Sequence, residues 1–496
     1  MIVEMKGMGD KMKADSIVEV EGYRLSKWIH NKKVSCAEVM AQYLDHIEKV
    51  NPCLNAIVSM PERDSLIKHA EEKDGLMRDG IDCGWMHGFP YAVKDLTETK
   101  GIRTTFGSRI FKDYIPKDDG LPVKRIKNAG AVIIGKTNTP EFGFGSQTYN
   151  EVFGTTGNPY NVEKTCGGSS GGAACSLAAR MLPVADGSDY MGSLRNPAGY
   201  CNVFGFRPSL GIVPDTGFDV FSNTVATCGP MARNVADLAL LLGTLSGRAE
   251  AVPLSKADDV RIKSLNTDNV FDKLKTDTKG IKIAWMGDWN GYLAMEKGIL
   301  DTTKKALSNL ESIGVSVEMI KPFFDPLEFW ETIWLPLRHY SACSLKVYID
   351  NGYRDIMKPE ALWEYEGSTK ISAQDVYNAF VKRSDFYRAM MKVYDGYDYI
   401  AAPSAQVFPF DKSIHWPDEI EGRKMKTYHQ WMEVVVHWSM GCNAVAAVPA
   451  GFGGADNLPI GIQIAAKPGY DFELLQFAAA YEEVNDFALR RRPEHF

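Results

Sequence analysis

A block of glycine and serine between residues 167 and 197 constrains this chain more than any other segment. It opens with G-G-S-S-G-G at Gly167 and continues with G-S-D-Y-M-G-S-L-R at Gly187. Glycine lacks a Cβ and tolerates positive φ, so such a block can bend sharply and bring its serine hydroxyls close to a ligand. The block therefore predicts a site with reactive serine hydroxyls, and the fold of the remaining chain must hold that site in place.

Two serines of this block and an upstream lysine form a set suited to nucleophilic catalysis without histidine. Lys94 ends the apolar run F-P-Y-A-V-K, Ser169 lies in the first turn and Ser193 in the second. A serine hydroxyl needs a neutral base, and burial can lower a lysine pKa by the roughly 3 units required from about 10.4. We expect Lys94 to be buried, with Asp95 on the opposite face of a strand. Ser169 would then relay the proton between Ser193 and Lys94.

The turn before Ser193 also predicts a site for negative charge. Acyl transfer to a serine develops an oxyanion, which successive backbone N–H groups can stabilise. Residues 189–193 can present such groups, and Gly192 makes the turn easier. The helix expected to start near Gly171 would direct further free N–H groups toward the same point.

Composition limits the class of protein. The 496 residues carry 63 acidic and 56 basic side chains, a net charge of −7, which argues against a nucleic-acid partner. The sequence contains no apolar run of about 18 residues, so it predicts no membrane span. The nine cysteines are scattered without a CxxC pair, which predicts neither a zinc site nor a disulfide framework. We expect a cytoplasmic, metal-independent protein with no cofactor, no membrane partner and a small-molecule ligand; a homodimer is left open.

Helix-like and strand-like segments alternate along the chain and predict an α/β fold with a mostly buried sheet. An S-x-x-E capping box at Ser35 begins the first clear helix. Residues 246–280 turn polar and are expected to form a surface excursion. The predicted strands are 131–135, 182–185, 281–285, 315–320, 397–402 and 444–448, and the other predicted helices are 171–181, 234–245 and 301–312.

Tryptophan is concentrated in the C-terminal half of the chain. A second aromatic core layer would explain this concentration, and so would an apolar wall over a substrate pocket. The two interpretations overlap, because a cover needs packing of its own. We expect a substrate-covering region at about residues 320–440. Six of the ten tryptophans lie there: Trp330, Trp334, Trp363, Trp416, Trp431 and Trp438.

These motifs together resemble the amidase signature family. Its G-G-S-S-G-G, G-[ST]-D-x-G-G-S-[IL]-R and P-x-A-V-K-D patterns correspond to Gly167–Gly172, Gly187–Arg195 and Pro90–Asp95. The resemblance covers most of the chain, and it implies that residues 1–496 form a single α/β domain with a central mixed sheet. Further similar segments follow in order at residues 135–143, 205–209, 229–238 and 458–464.

The resemblance implies hydrolysis of a carboxylic amide bond through a serine acyl-enzyme. Ser193 corresponds to the nucleophile, Ser169 to a relay held by a cis peptide bond, and Lys94 to the base. The corresponding oxyanion donors are the N–H groups of Tyr190, Met191, Gly192 and Ser193, and the supporting residues are Ser170, Asp189 and Arg195.

One residue departs from the family's commonest pattern. The family usually has glycine where this chain has Met191, which places a side chain beside the oxyanion donors and narrows the acyl pocket. The segment from Gly187 to Pro197 is similar to the branch of 6-aminohexanoate-cyclic-dimer hydrolases. That branch implies linear or cyclic amides with aliphatic acyl parts as substrates.

Other interpretations stay open. Residues 168–172 also fit the G-x-S-x-G elbow of α/β-hydrolases with Ser170 as nucleophile, whereas a P-loop is excluded because no G-K-[ST] follows at the required spacing. Met191 leaves room for an inactive binding member in which Ser193 is not acylated. Within the resemblance, the main rival is a glutaminase-type amidotransferase subunit, which would need partner chains. The histidines available to an elbow are His339, His415, His429 and His437.

Overall fold

An eight-stranded mixed sheet organises the computed structural model, which describes residues 16–217 and 219–494. Its first three strands in spatial order are parallel, and each later strand is antiparallel to its neighbour. The order is Ser316–Met319, Lys282–Trp285, Tyr399–Pro403, Leu458–Ala465, Val445–Gly453, Phe204–Arg207, Thr227–Ala232 and Ala185–Asp189.

A three-stranded sheet lies against the edge strand Ala185–Asp189. Pro90–Lys94 pairs in parallel with Val132–Thr137, which pairs antiparallel with Ile57–Val58. The Lys94 N–H lies 3.4 Å from both carboxylate oxygens of Asp186 and so joins the two sheets. This junction brings the end of the lysine strand to the edge of the large sheet.

Helices pack around both sheets. The helix predicted at Ser35 is Cys36–Leu54, and its capping box is present: Ser35 Oγ accepts the Glu38 N–H at 3.1 Å, and the Glu38 carboxylate accepts the Ser35 N–H at 2.8 Å. The other α-helices of at least five residues in the described chain are Gly22–His30, Arg63–Arg78, Leu121–Asn128, Gly171–Ala178, Asn196–Tyr200, Val235–Leu245, Val270–Leu274, Ile299–Ser308, Leu335–Ser341, Lys346–Asp350, Pro359–Ser368, Ala373–Val393, Val436–Met440 and Asp471–Val484.

The predicted elements are present with shifted ends. The strand expected at 182–185 is Ala185–Asp189, because its antiparallel pairing with Thr227–Ala232 extends it into polar residues. The polar excursion at 246–280 contains two short helices, Val260–Lys263, which buries Ile262, and Val270–Leu274, which buries the residues at both of its ends. Tertiary pairing and burial therefore override the local sequence signal at both places.

The tryptophan-rich region forms a second apolar core, as one of the two interpretations predicted. Trp334, Trp431 and Trp438 are buried there, in the same cluster as Met191 and Val435. This core therefore packs directly on the turn that precedes Ser193. None of the helices in residues 16–217 and 219–494 combines the length and apolar character needed to cross a bilayer.

Candidate active site

Lys94 ends its strand with its amine inside the protein. The residue is 1% exposed. Its Nζ lies 2.8 Å from the Oγ atoms of Ser169 and Ser170 and 3.1 Å from Ser188 Oγ. Burial lowers the pKa of Lys94 to about 7. A substantial fraction of the amine is therefore neutral at neutral pH and able to accept a proton.

Asp95 lies apart from the Lys94 amine, as strand alternation predicts. Its carboxylate accepts hydrogen bonds from the Thr105 N–H at 3.1 Å and the Thr105 hydroxyl at 2.5 Å. The carboxylate that comes near Lys94 is Asp186, which binds the backbone N–H of the lysine. Within the described residues, no carboxylate lies within ion-pair distance of Lys94 Nζ, so no ion pair restores the pKa of Lys94 to its ordinary value.

The first glycine–serine turn surrounds the Lys94 amine with hydroxyls. The Gly168–Ser169 peptide bond is cis, and the helix Gly171–Ala178 begins directly after Ser170. Ser170 is fully buried, and a Cβ at Gly187 would lie 2.6 Å from its Oγ. Both serine hydroxyls therefore border the amine, Ser170 is the more enclosed of the two, and Ser169 remains the candidate relay.

Ser193 lies next to this turn. Its carbonyl oxygen accepts the Ser170 N–H at 3.3 Å, which links the two serine segments. The residue is 7% exposed, and its hydroxyl has no hydrogen-bond partner in the part of the chain that the structure describes. The Ser193 oxygen is therefore not committed to a structural contact.

Asp189 anchors the turn of residues 189–193, which we call the oxyanion turn. Its carboxylate accepts the Gly192 N–H at 2.8 Å and the Leu194 N–H at 3.1 Å, and Arg195 donates to it through Nε and Nη2 at 2.9 Å each. Burial alone would raise the pKa of Asp189, but the guanidiniums of Arg195 and Arg207 hold it well below its usual range. Asp189 and Arg195 therefore hold the backbone of this turn, and their supporting role in catalysis stays a prediction.

The N–H of Gly192 donates to the Asp189 carboxylate at 2.8 Å, so the role of Gly192 as an oxyanion donor stays a prediction. A motif does not show which way the aspartate side chain turns. The N–H groups of Tyr190, Met191 and Ser193 have no acceptor among residues 16–217 and 219–494. These three groups are the remaining candidates for stabilising an oxyanion.

Gly192→Ala should destabilise the protein and reduce activity. Gly192 has φ +81°, and an added Cβ would lie 2.7 Å from Val435 Cγ2 and 2.8 Å from Val435 Cβ. The substitution therefore combines left-handed backbone strain of about 1–2 kcal/mol with overpacking of about 1–3 kcal/mol. Chemical denaturation with parallel activity measurement checks both effects.

Gly291→Ala is the matched control, because Gly291 also has φ +81° but nothing within 4 Å of an added Cβ. It should show the backbone cost alone and unchanged activity. Equal destabilisation by the two variants would contradict the steric role of Val435.

None of the four histidines considered for an elbow triad hydrogen-bonds a serine within residues 16–217 and 219–494. His437 is stacked between Trp289 at 4.0 Å and Phe329 at 4.3 Å, and burial lowers its pKa to about 3. This disfavours the α/β-hydrolase elbow, and in the described chain no cluster of three His, Cys, Asp or Glu forms a metal site. Of the other candidate histidines, His339 and His429 contact Glu364, and His415 contacts Tyr149.

Sequence reasoning missed two residues of the site, Ser188 and Arg207. Ser188 Oγ lies 3.1 Å from Lys94 Nζ, and Arg207 Nη1 donates to the Asp189 backbone carbonyl. Ser188 lies in the motif G-S-D and Arg207 in the motif G-F-R-P-S, and membership of these motifs is the sequence feature that could have identified both residues.

The sequence comparisons identify relatives over nearly the whole chain. The Amidase family profile matches residues 38–475. An acylamidase from Rhodococcus erythropolis is 32% identical over 462 residues, which cover 93% of this chain and 94% of the relative. A glutamyl-tRNA(Gln) amidotransferase subunit from Carboxydothermus hydrogenoformans is 31% identical over 497 residues, with 93% and 96% covered.

Solved structures share the same architecture. A bacterial aryl acylamidase of the amidase signature family superposes with a TM-score of 0.85 at 26% identity, covering 95% of this chain and 99% of the other. A 6-aminohexanoate cyclic dimer hydrolase bound to substrate superposes with a TM-score of 0.81 at 22% identity, covering 96% of this chain and 99% of the other. This likeness supports a shared fold alone. The predicted single α/β domain with a central mixed sheet is confirmed. The chain belongs to the amidase signature family, whose members hydrolyse amide bonds.

Proposed function

We propose that this amidase acts through an acyl-enzyme on Ser193, with Lys94 as the base and Ser169 as the relay. The observation that carries the proposal is the buried amine: Lys94 Nζ lies 2.8 Å from Ser169 Oγ, and its pKa falls from 10.5 to about 7. An ordinary lysine would be protonated at neutral pH and could not serve as a base.

The acylation step begins when the amide carbonyl lies against the oxyanion turn. Ser193 Oγ attacks the carbonyl carbon, its proton passes to Ser169 Oγ, and the proton of Ser169 passes to Lys94 Nζ. The free N–H groups of the turn stabilise the oxyanion that forms. When the C–N bond breaks, the leaving amine takes a proton back through the same pair.

Deacylation uses the same groups in reverse. Water attacks the acyl carbon, and its proton passes through Ser169 to Lys94. Collapse of the second tetrahedral intermediate returns the proton from Lys94 through Ser169 to Ser193 and releases the carboxylic acid, which loses its remaining proton to water and becomes the carboxylate. The cycle needs no metal ligand set, and Ser170 and Ser188 hold the amine in place throughout.

An apolar acyl or aryl group suits the surroundings of the oxyanion turn. Met191 lies in one buried apolar cluster with Trp334, and the Tyr190 ring packs edge-to-face on Trp334 at 5.9 Å. We therefore propose that residues 320–440 cover the substrate and that residues 167–197 carry the chemistry. Likeness to an acylamidase and to an aryl acylamidase supports simple acylated amines, aryl amides among them, as substrates.

The second candidate function is that of a glutamine-hydrolysing amidotransferase subunit. The 31% identity to such a subunit favours it. This function would require partner chains, so hydrolysis of simple anilides by the isolated chain counts against it, and co-purification with two further subunits counts for it.

The unpaired state of all nine cysteines supports our proposal of a cytoplasmic location.

The acyl-enzyme proposal predicts covalent labelling of Ser193 whose rate depends on pH. A fluorophosphonate probe should modify Ser193, because phosphonylation uses the same nucleophile and base. The labelling rate and kcat/KM should rise with pH through about 7, since protonated Lys94 cannot accept a proton, and then level off. Peptide mass spectrometry across a pH series measures both the site and the rate.

Two results would contradict the proposal. One is a label on Ser170 in place of Ser193, and the other is a labelling rate that stays flat across the pH range. Absence of any label would instead favour the inactive binding member that Met191 leaves open.

A further inference from the structure

Arg338 lies beside the oxyanion turn. Its Cζ is 4.9 Å from the ring centroid of Tyr190 and 4.5 Å from that of Phe144. Phe144 follows Gly143, where a Cβ would lie 3.5 Å from Ser169 Oγ. The guanidinium therefore lies between the segment that carries the oxyanion donors and the segment that borders the relay serine.

A buried network fixes the orientation of this guanidinium. The Arg338 side chain is 10% exposed, and its Nε donates to Glu364 Oε1 at 2.7 Å. The same Glu364 oxygen accepts the Tyr428 hydroxyl at 2.6 Å and contacts His429 Nε2 at 3.0 Å. Because these partners are themselves buried, Arg338 is pre-organised without a ligand, which lowers the entropy lost on binding one.

Part of the guanidinium remains available. Of its five N–H donors, Nε is used by Glu364, and Nη2 lies 3.5 Å from the Tyr428 oxygen. Nη1 has no acceptor within residues 16–217 and 219–494, and it is not among the fully enclosed atoms that lack a partner. The Tyr190 and Phe144 rings border the guanidinium at cation–π distance, and neither ring uses the Nη1 N–H groups as a hydrogen-bond acceptor would.

A carboxylate is the ligand that matches an open guanidinium edge, because its two oxygens accept parallel N–H bonds. We propose that Arg338 binds a carboxylate on the substrate, so that amides carrying an anionic group are preferred over neutral amides of the same shape. This inference rests on the proposed function and adds the substrate class to it. The carboxylate belongs either to the acyl part or to the amine part, and the experiment separates these two cases.

Two matched substrate pairs test the proposal, each replacing the carboxylate with an isopropyl group of similar shape. Succinyl-para-nitroanilide and isohexanoyl-para-nitroanilide test the acyl side, and para-acetamidobenzoate and para-isopropylacetanilide test the amine side. The wild type should favour the carboxylate in one pair by about 10- to 100-fold in kcat/KM. Arg338→Gln should abolish that preference, mainly through KM, and leave the isopropyl substrate within about threefold.

Arg354→Gln is the matched control, because Arg354 is an exposed partner of Glu366. It removes the same charge from the surface and should keep the preference. Arg338→Lys keeps the positive charge but lacks the paired N–H groups of the guanidinium, so we expect an intermediate preference for the carboxylate substrate. If a thermal unfolding assay shows that Arg338→Gln does not fold, Arg338→Lys is the variant that tests the proposal.

Equal kcat/KM within both pairs for the wild type would overturn the proposal. So would an Arg338→Gln variant that folds and slows the carboxylate and isopropyl substrates equally, since that result indicates a purely structural role. Failure of the wild type to hydrolyse any of the four anilides would instead count against the proposed function, and the two failures are thereby distinguished.

Discussion

Ser193→Ala should lower kcat by about ten-thousand-fold or more while the protein stays folded. The variant lacks the oxygen that forms the acyl bond, and the Ser193 hydroxyl makes no structural hydrogen bond within the described residues. The contact that links Ser193 to the Ser170 N–H uses the backbone carbonyl and survives the substitution. Steady-state hydrolysis of an anilide, intact mass after rapid quenching and a thermal unfolding curve together measure activity, acyl-enzyme and fold.

Ser176→Ala provides the matched control for removing a buried serine hydroxyl. Ser176 Oγ donates to the Gly172 carbonyl at 2.7 Å inside the helix Gly171–Ala178. Its loss should cost about 1 kcal/mol of stability and leave kcat within about threefold. If Ser193→Ala kept more than a tenth of wild-type activity, the nucleophile would have to be reassigned, with Ser170 as the next candidate.

Much of the candidate site could be predicted because its residues lie in short sequence motifs. Lys94, Ser169 and Ser193 each lie in a segment whose glycines or apolar residues indicate how the backbone bends or is buried. The state of the Gly192 N–H could not be predicted in the same way. It depends on the rotamer of Asp189, which the buried guanidinium of Arg195 sets through a three-dimensional contact.

The α/β class was predictable from alternating segments, whereas several central strands were not. Phe204–Arg207 and Thr227–Ala232 are short and buried on both faces, so they show no alternation of polar and apolar residues. Their pairing with Ala185–Asp189 and Val445–Gly453 assigns them to the sheet.

Arg338 was equally hidden from sequence reasoning. Its partners Glu364 and Tyr428 are 26 and 90 residues away along the chain, so no local pattern indicates the network. Composition predicted an aromatic layer between residues 320 and 440, but it could not indicate a charged group held within that layer. Long-range polar contacts are thus the part of this site that only the folded chain reveals.

Lys94→Met should lower kcat/KM by about a thousand-fold or more and remove its rise with pH near 7. Methionine preserves most of the apolar stem but cannot accept the proton of Ser169. The substitution should also change how stability depends on pH. Because the Lys94 pKa falls from 10.5 to about 7 on folding, the unfolded wild type binds the extra proton between these values, so its stability rises with pH across that window. Lys94→Met should lack this part of the slope, as measured by denaturant unfolding at several pH values.

Lys136→Met separates the loss of a buried amine from the loss of the base. Lys136 is also fully buried, burial lowers its pKa to about 8, and its Nζ donates to Thr99 Oγ1 at 2.7 Å, away from the serine hydroxyls. Its replacement should flatten the stability slope between about pH 8 and 10.5 while the pH profile of kcat/KM keeps its rise near 7. If Lys94→Met kept that rise, or if Lys136→Met alone abolished it, the proton acceptor would not be Lys94, because only the group that titrates in the rate can be the base.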